Sequence, residues 1–176
     1  MTEENKKPEE KKPVTEKKPE PKKEEKPKVE KKEIQPGAHE AFARLENIPV
    51  STKHSVEICS FLRGKELEKA KRLLQQVIDK KMAVPFKRYN RDVGHKPGIA
   101  AGRYPEKATK EILKLLNLVQ ANAENKGLDR ENLIISEIIA NKGYQQMHYG
   151  RKRSRKFKRT HIEVSVQEIE KWLKDK

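Results

Sequence analysis

Between Lys142 and Thr160 the chain has no Asp or Glu and eight Lys or Arg, and sequence that reads as β-strand flanks it on both sides. Upstream, Leu133 to Asn141 is rich in Ile. Downstream, residues 159–166 alternate, with Ile162, Val164 and Val166 on one side and His161, Glu163 and Ser165 on the other. A run of unrelieved positive charge cannot enter a core, so two strands joined by it must project it as a hairpin. If both strands continue into the segment, the arms reach roughly 30 Å from the body, at ~3.4 Å per residue. An isolated hairpin is marginal in water, so this one makes physical sense only inside a partner. Its cations are Lys142, Arg151, Lys152, Arg153, Arg155, Lys156, Lys158 and Arg159, with Tyr144, His148, Tyr149 and Phe157 interleaved. Guanidinium groups match phosphate oxygens bidentately and flat rings stack on unpaired bases. The combination points to nucleic acid.

The body that would carry this hairpin reads as an α+β domain: three helices packed on a small antiparallel sheet. Ser51 is placed to cap a helix from Thr52 to about Arg63, with Gly64 as its left-handed stop and Val56, Cys59 and Leu62 as its inward stripe. A second helix, from about Glu66 to Met82, sets Leu67, Ala70, Leu74, Val77 and Ile78 on one face. A third begins at Pro105, runs to about Lys126 and ends at Gly127, with Ala108, Ile112, Leu115, Val119 and Ala123 in line. Phe42 to Asn47 supplies a third strand, and Trp172 reads as a packing residue.

Residues 84–104, between the second and third helices, form the other segment that resists burial. They carry Lys87, Arg88, Arg91, Lys96 and Arg103 against one acid, Asp92, with Phe86, Tyr89 and His95 between them. Gly94, Gly98 and Gly102 would let the backbone approach phosphate closely. A structureless loop of this length is uncommon in a compact domain unless it is functional. RNA contact is the expectation here too.

Residues 1–36 are built almost wholly from 12 Lys, 10 Glu and 6 Pro. Proline at that density blocks helix propagation, and almost nothing apolar is available to bury, so residues 1–37 are expected to be a disordered tail. The whole chain has a formal net charge of +15, yet the tail contributes only two of those charges. The basic character therefore belongs to residues 38–176, which strengthens the case for a polyanionic partner. The lone Cys59 excludes an intrachain disulfide and fits a reducing compartment. The five histidines lack metal-ligand spacing, and Gly98 to Gly102 lacks the ending of a phosphate-binding P-loop. No enzyme, metal or cofactor is expected, and neither is a membrane partner, since no apolar run approaches ~20 residues.

Four stretches in order resemble the family of universal large-subunit ribosomal protein twenty-two, in its archaeal and eukaryotic form. They are Ile48-Pro49-Val50-Ser51-Thr52-Lys53-His54 with Arg63-Gly64-Lys65; Gly102-Arg103-Tyr104-Pro105; Asn122 to Asp129; and His161-Ile162-Glu163-Val164. The likeness runs from about residue 38 to 166. Near the hairpin, Lys142, Gly150, Arg151, His161, Ile162, Val164 and Val166 fit the family pattern, whereas Met147 and His148 replace its usual Arg-Ala pair. The insertion at residues 84–104 looks like the archaeal and eukaryotic branch. The resemblance implies a non-enzymatic constituent of the large subunit, cytoplasmic and ribosome-bound. Large-subunit rRNA and neighbouring ribosomal proteins would be its partners, and the hairpin would line the peptide exit tunnel near the nascent peptide. It also adds Lys53, His54, Arg63 and Lys65 to the RNA-contact residues. Two rivals stand beside it: an off-ribosome nucleic-acid-binding accessory protein, and a small RNA-processing enzyme using His161 and Glu163.

Overall fold

A computed structural model describes residues 39–151 and 154–169. The expected tail, Lys152, Arg153 and Trp172 lie outside them. In chain order the elements are β1 (Glu40–Ile48), α1 (Thr52–Leu62), α2 (Leu67–Ile78), β2 (Val84–Pro85), β3 (His95–Lys96), β4 (Ile99–Arg103), α3 (Glu106–Asn125), β5 (Leu133–Lys142) and β6 (Thr160–Glu168). The main sheet is antiparallel in the order β1-β6-β5, so the alternating strand β6 is central. α1 packs on β5 and α3 on β1 and β6, while α2 lies mainly against α3. The expected α+β architecture holds, with one addition. Residues 84–104 are not structureless: β2, β4 and β3 form a second small antiparallel sheet.

The α3 stripe is buried as its spacing predicts, from Ala108 through Ala123. On α1 the phase differs from expectation. Val56 is only half-buried, and the inward face is Ser55, Ile58, Cys59 and Leu62. Ser51 has the extended backbone of an N-cap but makes no side-chain cap bond; the Ser55 hydroxyl donates to its carbonyl instead, at 3.1 Å. α2 is shorter than its apolar spacing suggests, ending at Ile78, which is half-buried. Gly64 and Gly127 adopt φ of +71° and +76°, the left-handed turn that stops a helix after α1 and α3.

The Ile-rich run in β5 resists a simple alternation because it contains a bulge. Between Ile135 and Glu137 the pairing with β6 shifts, leaving Ser136 as the extra residue. Leu133 and Ile135 face the core before the bulge, and Ile138 faces it afterwards. Each sheet edge is partly covered, which blunts its tendency to pair with another chain. Along β1, Asn122 Nδ2 donates to the Phe42 carbonyl at 2.9 Å and Lys126 Nζ to that of Glu40 at 2.7 Å. Along β5, the Gly64 and Ile135 amides bond Ile135 and Lys65 carbonyls, both at 3.0 Å.

The bulge decides which of two adjacent isoleucines is buried. Ile138 is 0% exposed and Ile139 42%. Ile138→Ala is expected to cost about 2–5 kcal/mol in urea unfolding, and Ile139→Ala under about 1 kcal/mol. A larger loss at Ile139 would show that the strand runs in the unbulged register.

Candidate nucleic-acid interface

Three pieces of chain supply the candidate surface: the start of α1, the inserted sheet and the hairpin beyond β5 and β6. The insertion is held by one acid that sequence reasoning passed over. Glu57, on α1, is 2% exposed, and its carboxylate accepts the backbone N–H groups of Lys87 at 3.0 Å, Arg88 at 3.0 Å and Tyr89 at 2.6 Å. A buried carboxylate is costly unless its lone pairs are filled, and three charge-assisted bonds fill them. The available signal was an acid among apolar neighbours on α1.

Around that anchor the residues of the turn sort by function. Phe86 is buried and meets the His54 ring edge-on at 5.5 Å. The Tyr89 ring carries Lys53 Nζ at 5.7 Å and the Arg88 guanidinium at 5.4 Å from its centre. Arg91 Nε donates to the Lys87 carbonyl. Lys87, Arg88 and Arg91 are exposed. On the small sheet His95 and Arg103 are exposed, while Lys96 lies 5.5 Å over Tyr104. Two of the glycines have a part within the fold. Gly98 turns the β3–β4 hairpin at φ +74°. At Gly102 a Cβ would fall 2.6 Å from Ile99 Cδ1, so the close approach there is to a neighbouring side chain within the sheet.

The hairpin is rooted against α1. The Thr160 hydroxyl donates to the Val50 carbonyl at 3.1 Å and lies 2.9 Å from the Thr52 hydroxyl, while Arg159 Nη1 donates to the Asn47 carbonyl at 3.1 Å. Pairing then continues past the strands, through the Gly143 amide to Arg159, Phe157 to Gln146 and His148 to Arg155. Tyr144 and Gln145 together stand opposite Lys158, a second bulge. Lys142, Tyr144, Tyr149, Arg151, Arg155, Lys156 and Lys158 are exposed.

These pieces converge at His54. Its pKa is lowered from the ordinary imidazole value by burial first, then by the charges of Lys158 from the hairpin and Arg103 from β4. A hollow lined by His54, Pro105, Lys107 and Lys158, with one acid, Glu106, lies there. Arg63 and Lys65 are not part of this convergence. They sit beyond the opposite end of α1, a helix roughly 16 Å long at ~1.5 Å per residue. Arg63 donates to the Ile138 carbonyl at 3.3 Å, and Lys65 lies 5.1 Å over Phe61.

Nothing in the arrangement favours catalysis by His161 and Glu163. Glu163 is paired with Arg44 Nε at 3.1 Å, and His161 Nδ1 accepts the Asn47 amide at 3.4 Å. Burial raises the Cys59 thiol to about 12, so it is inert at neutral pH. Among the described residues no three His, Cys, Asp or Glu are grouped to hold a metal ion. No helix among them is long and apolar enough to cross a membrane.

Residues 43–167 match the profile of the family described as ribosomal protein L22p/L17e. The chain is similar to archaeal proteins named large ribosomal subunit protein uL22. That of Archaeoglobus fulgidus is 46% identical over 125 residues, 66% of this chain and 81% of the relative. The Nanoarchaeum equitans protein is 49% identical over 132 residues, 69% and 75% of the two chains. For Methanosphaera stadtmanae the identity is 43% over 144 residues, 76% and 94%.

The convergence at His54 has a pH signature. Because its folded pKa is lowered, the unfolded chain takes up the proton first, and stability falls as pH drops below about 6.5. The loss is complete once pH passes below the folded pKa. In a proton NMR titration of the free protein, His54 should titrate below the ordinary value, and Lys158→Met should move it upward. An unmoved titration in Lys158→Met would remove the hairpin cation from its surroundings.

Proposed function

The chain belongs to the ribosomal protein L22p/L17e family, in its archaeal type, and from that premise we propose that it is a structural, non-enzymatic constituent of the large ribosomal subunit that binds large-subunit rRNA. The observation that carries the RNA reading is the basic, acid-free hairpin from Lys142 to Thr160, whose Lys158 comes back to line a hollow with His54 and Lys107 at the start of α1 and α3. Mutual repulsion makes such a cluster unfavourable in the free protein, and phosphate relieves it. The proposed contacts are Lys53 and His54 on α1, then Lys87, Arg88, Arg91, His95, Lys96 and Arg103 on the insertion. On the hairpin they are Lys142, Tyr144, His148, Tyr149, Arg151 to Arg153, Arg155, Lys156, Lys158 and Arg159. Arg63 and Lys65, at the far end of α1 with ties to Ile138 and Phe61, are proposed as a separate contact point.

The paired arms beyond Lys142 and Thr160 support a hairpin long enough to pass between RNA segments. In the assembled subunit it lines the peptide exit tunnel, with the nascent peptide near its tip and ribosomal proteins beside the body. The binding domain is residues 38–176, and the Lys/Glu/Pro tail at residues 1–37 is an appendage with few net charges to offer.

Phosphate contacts are read by salt. Filter binding to a large-subunit rRNA fragment should weaken steeply as salt rises, because each neutralised phosphate releases a condensed counterion. Replacing Arg151, Arg155 and Lys156 by Ala should lower the slope of log affinity against log salt by roughly two, at ~0.7 per lost contact. An unchanged slope would mean that these side chains do not meet phosphate.

A further inference from the structure

Past the main sheet the hairpin has two unlike faces. His148 and Arg155 are directly bonded partners, and Phe157 is the diagonal neighbour of His148, so these three side chains share one face. Met147 and Lys156 pair on the other. On the first face the rings form a stack. His148 lies 4.4 Å from Phe157 with an interplanar angle of 22°, and 4.8 Å from Tyr149 with an angle of 30°. The imidazole is therefore the middle ring. Phe157 is half-buried at the inner end, while Tyr149, at the outer end, is 82% exposed.

A three-ring stack whose last ring is left in water is an incomplete one. Stacking between flat π-systems is favourable whatever the fourth ring is, provided it is planar and free of its own partners. Charge selects what brings that ring. Arg151, two residues beyond Tyr149, and Arg155, the bonded partner of His148, are exposed, and no acid occurs from Lys142 to Thr160. We propose that the Phe157–His148–Tyr149 stack is a nucleobase subsite, in which one unpaired RNA base occupies the outer face of Tyr149. Arg151 and Arg155 meet the phosphates on either side of that base. The inference rests on the rRNA-binding reading and adds a particular contact to it: a base held by stacking, without hydrogen-bond readout, at a tip where His148 replaces the alanine of the family pattern. Any unpaired base can fit, and a purine fits best because its larger face covers more of the phenol ring.

The probe is a short single-stranded RNA of uridines containing one 2-aminopurine, whose fluorescence is quenched when it stacks. With the full-length protein, binding should quench it. Tyr149→Ala should abolish the quench and weaken binding roughly tenfold, the expected scale for one stacked base. The salt slope should stay unchanged, since no phosphate contact is lost. Tyr149→Phe should retain both quench and affinity, because the ring and not the hydroxyl does the stacking. His148→Ala should leave a reduced quench, because Tyr149 keeps its face but loses the ring behind it. Equal quench and affinity in wild type and Tyr149→Ala would overturn the subsite. If salt-dependent binding persists in that case, the hairpin still binds RNA through its cations and only the base is lost. Tyr149-dependent binding of an uncharged aromatic peptide, with no quench of the RNA probe, would assign the stack to peptide and overturn the proposal.

Discussion

The basic surface depends on one buried carboxylate. Glu57 leaves water on the inner side of α1, and three consecutive backbone amides of the insertion turn toward it. Removing an ionised carboxyl from water costs several kcal/mol, so the site is stable only while all three donors are present. This makes the coupling mutual: α1 fixes the turn, and the turn keeps the acid satisfied. Because the backbone N–H groups are spent inward, the side chains of Lys87 and Arg88 are free to face outward. Phe86 is driven beneath them and closes against His54. An interior negative charge thus orders an exterior positive surface.

The hairpin depends on α1 as well, through Thr52, Thr160 and the Val50 carbonyl at its root. The same short helix therefore sets the position of both cationic segments. Its first turn lies beneath their meeting point, and His54 senses both through Lys158 and Arg103. Such a concentration of like charge lowers the stability of the free domain and is useful only when a polyanion screens it. A rigid scaffold that holds repelling cations in place needs less reorganisation when RNA arrives than a flexible one would.

Much of the fold could be read from the sequence because its signals were long. Twenty residues of α3 give several turns of periodicity, and nine residues of β6 give clean alternation. The inserted sheet could not be read, since β2 and β3 have two residues each and no period exists over two residues. The bulge at Ser136 hid the alternation of β5 by reversing its phase midway. Glu57 was missed for a related reason: an acid on a short amphipathic helix usually marks the wet face, and its partners are backbone groups without side-chain identity. The cationic clusters were plain in composition, but their convergence on His54 was not, since Lys158 lies 104 positions further along the chain. Arg63 and Lys65 belong to a stretch that resembles the family, yet their contacts are to β5 and to α1 itself.

If an acid on α1 organises the proposed RNA-binding cations, affinity measured on Glu57→Gln reads it most directly. That substitution keeps the shape of the side chain and removes one negative charge. On simple Coulomb grounds a more positive protein binds RNA more tightly. The opposite is expected: weaker binding to a large-subunit rRNA fragment, with a shallower salt slope, because the turn from Lys87 to Tyr89 loses its charged acceptor and its cations lose their fixed positions. Equal or tighter binding, at an unchanged slope, would contradict it.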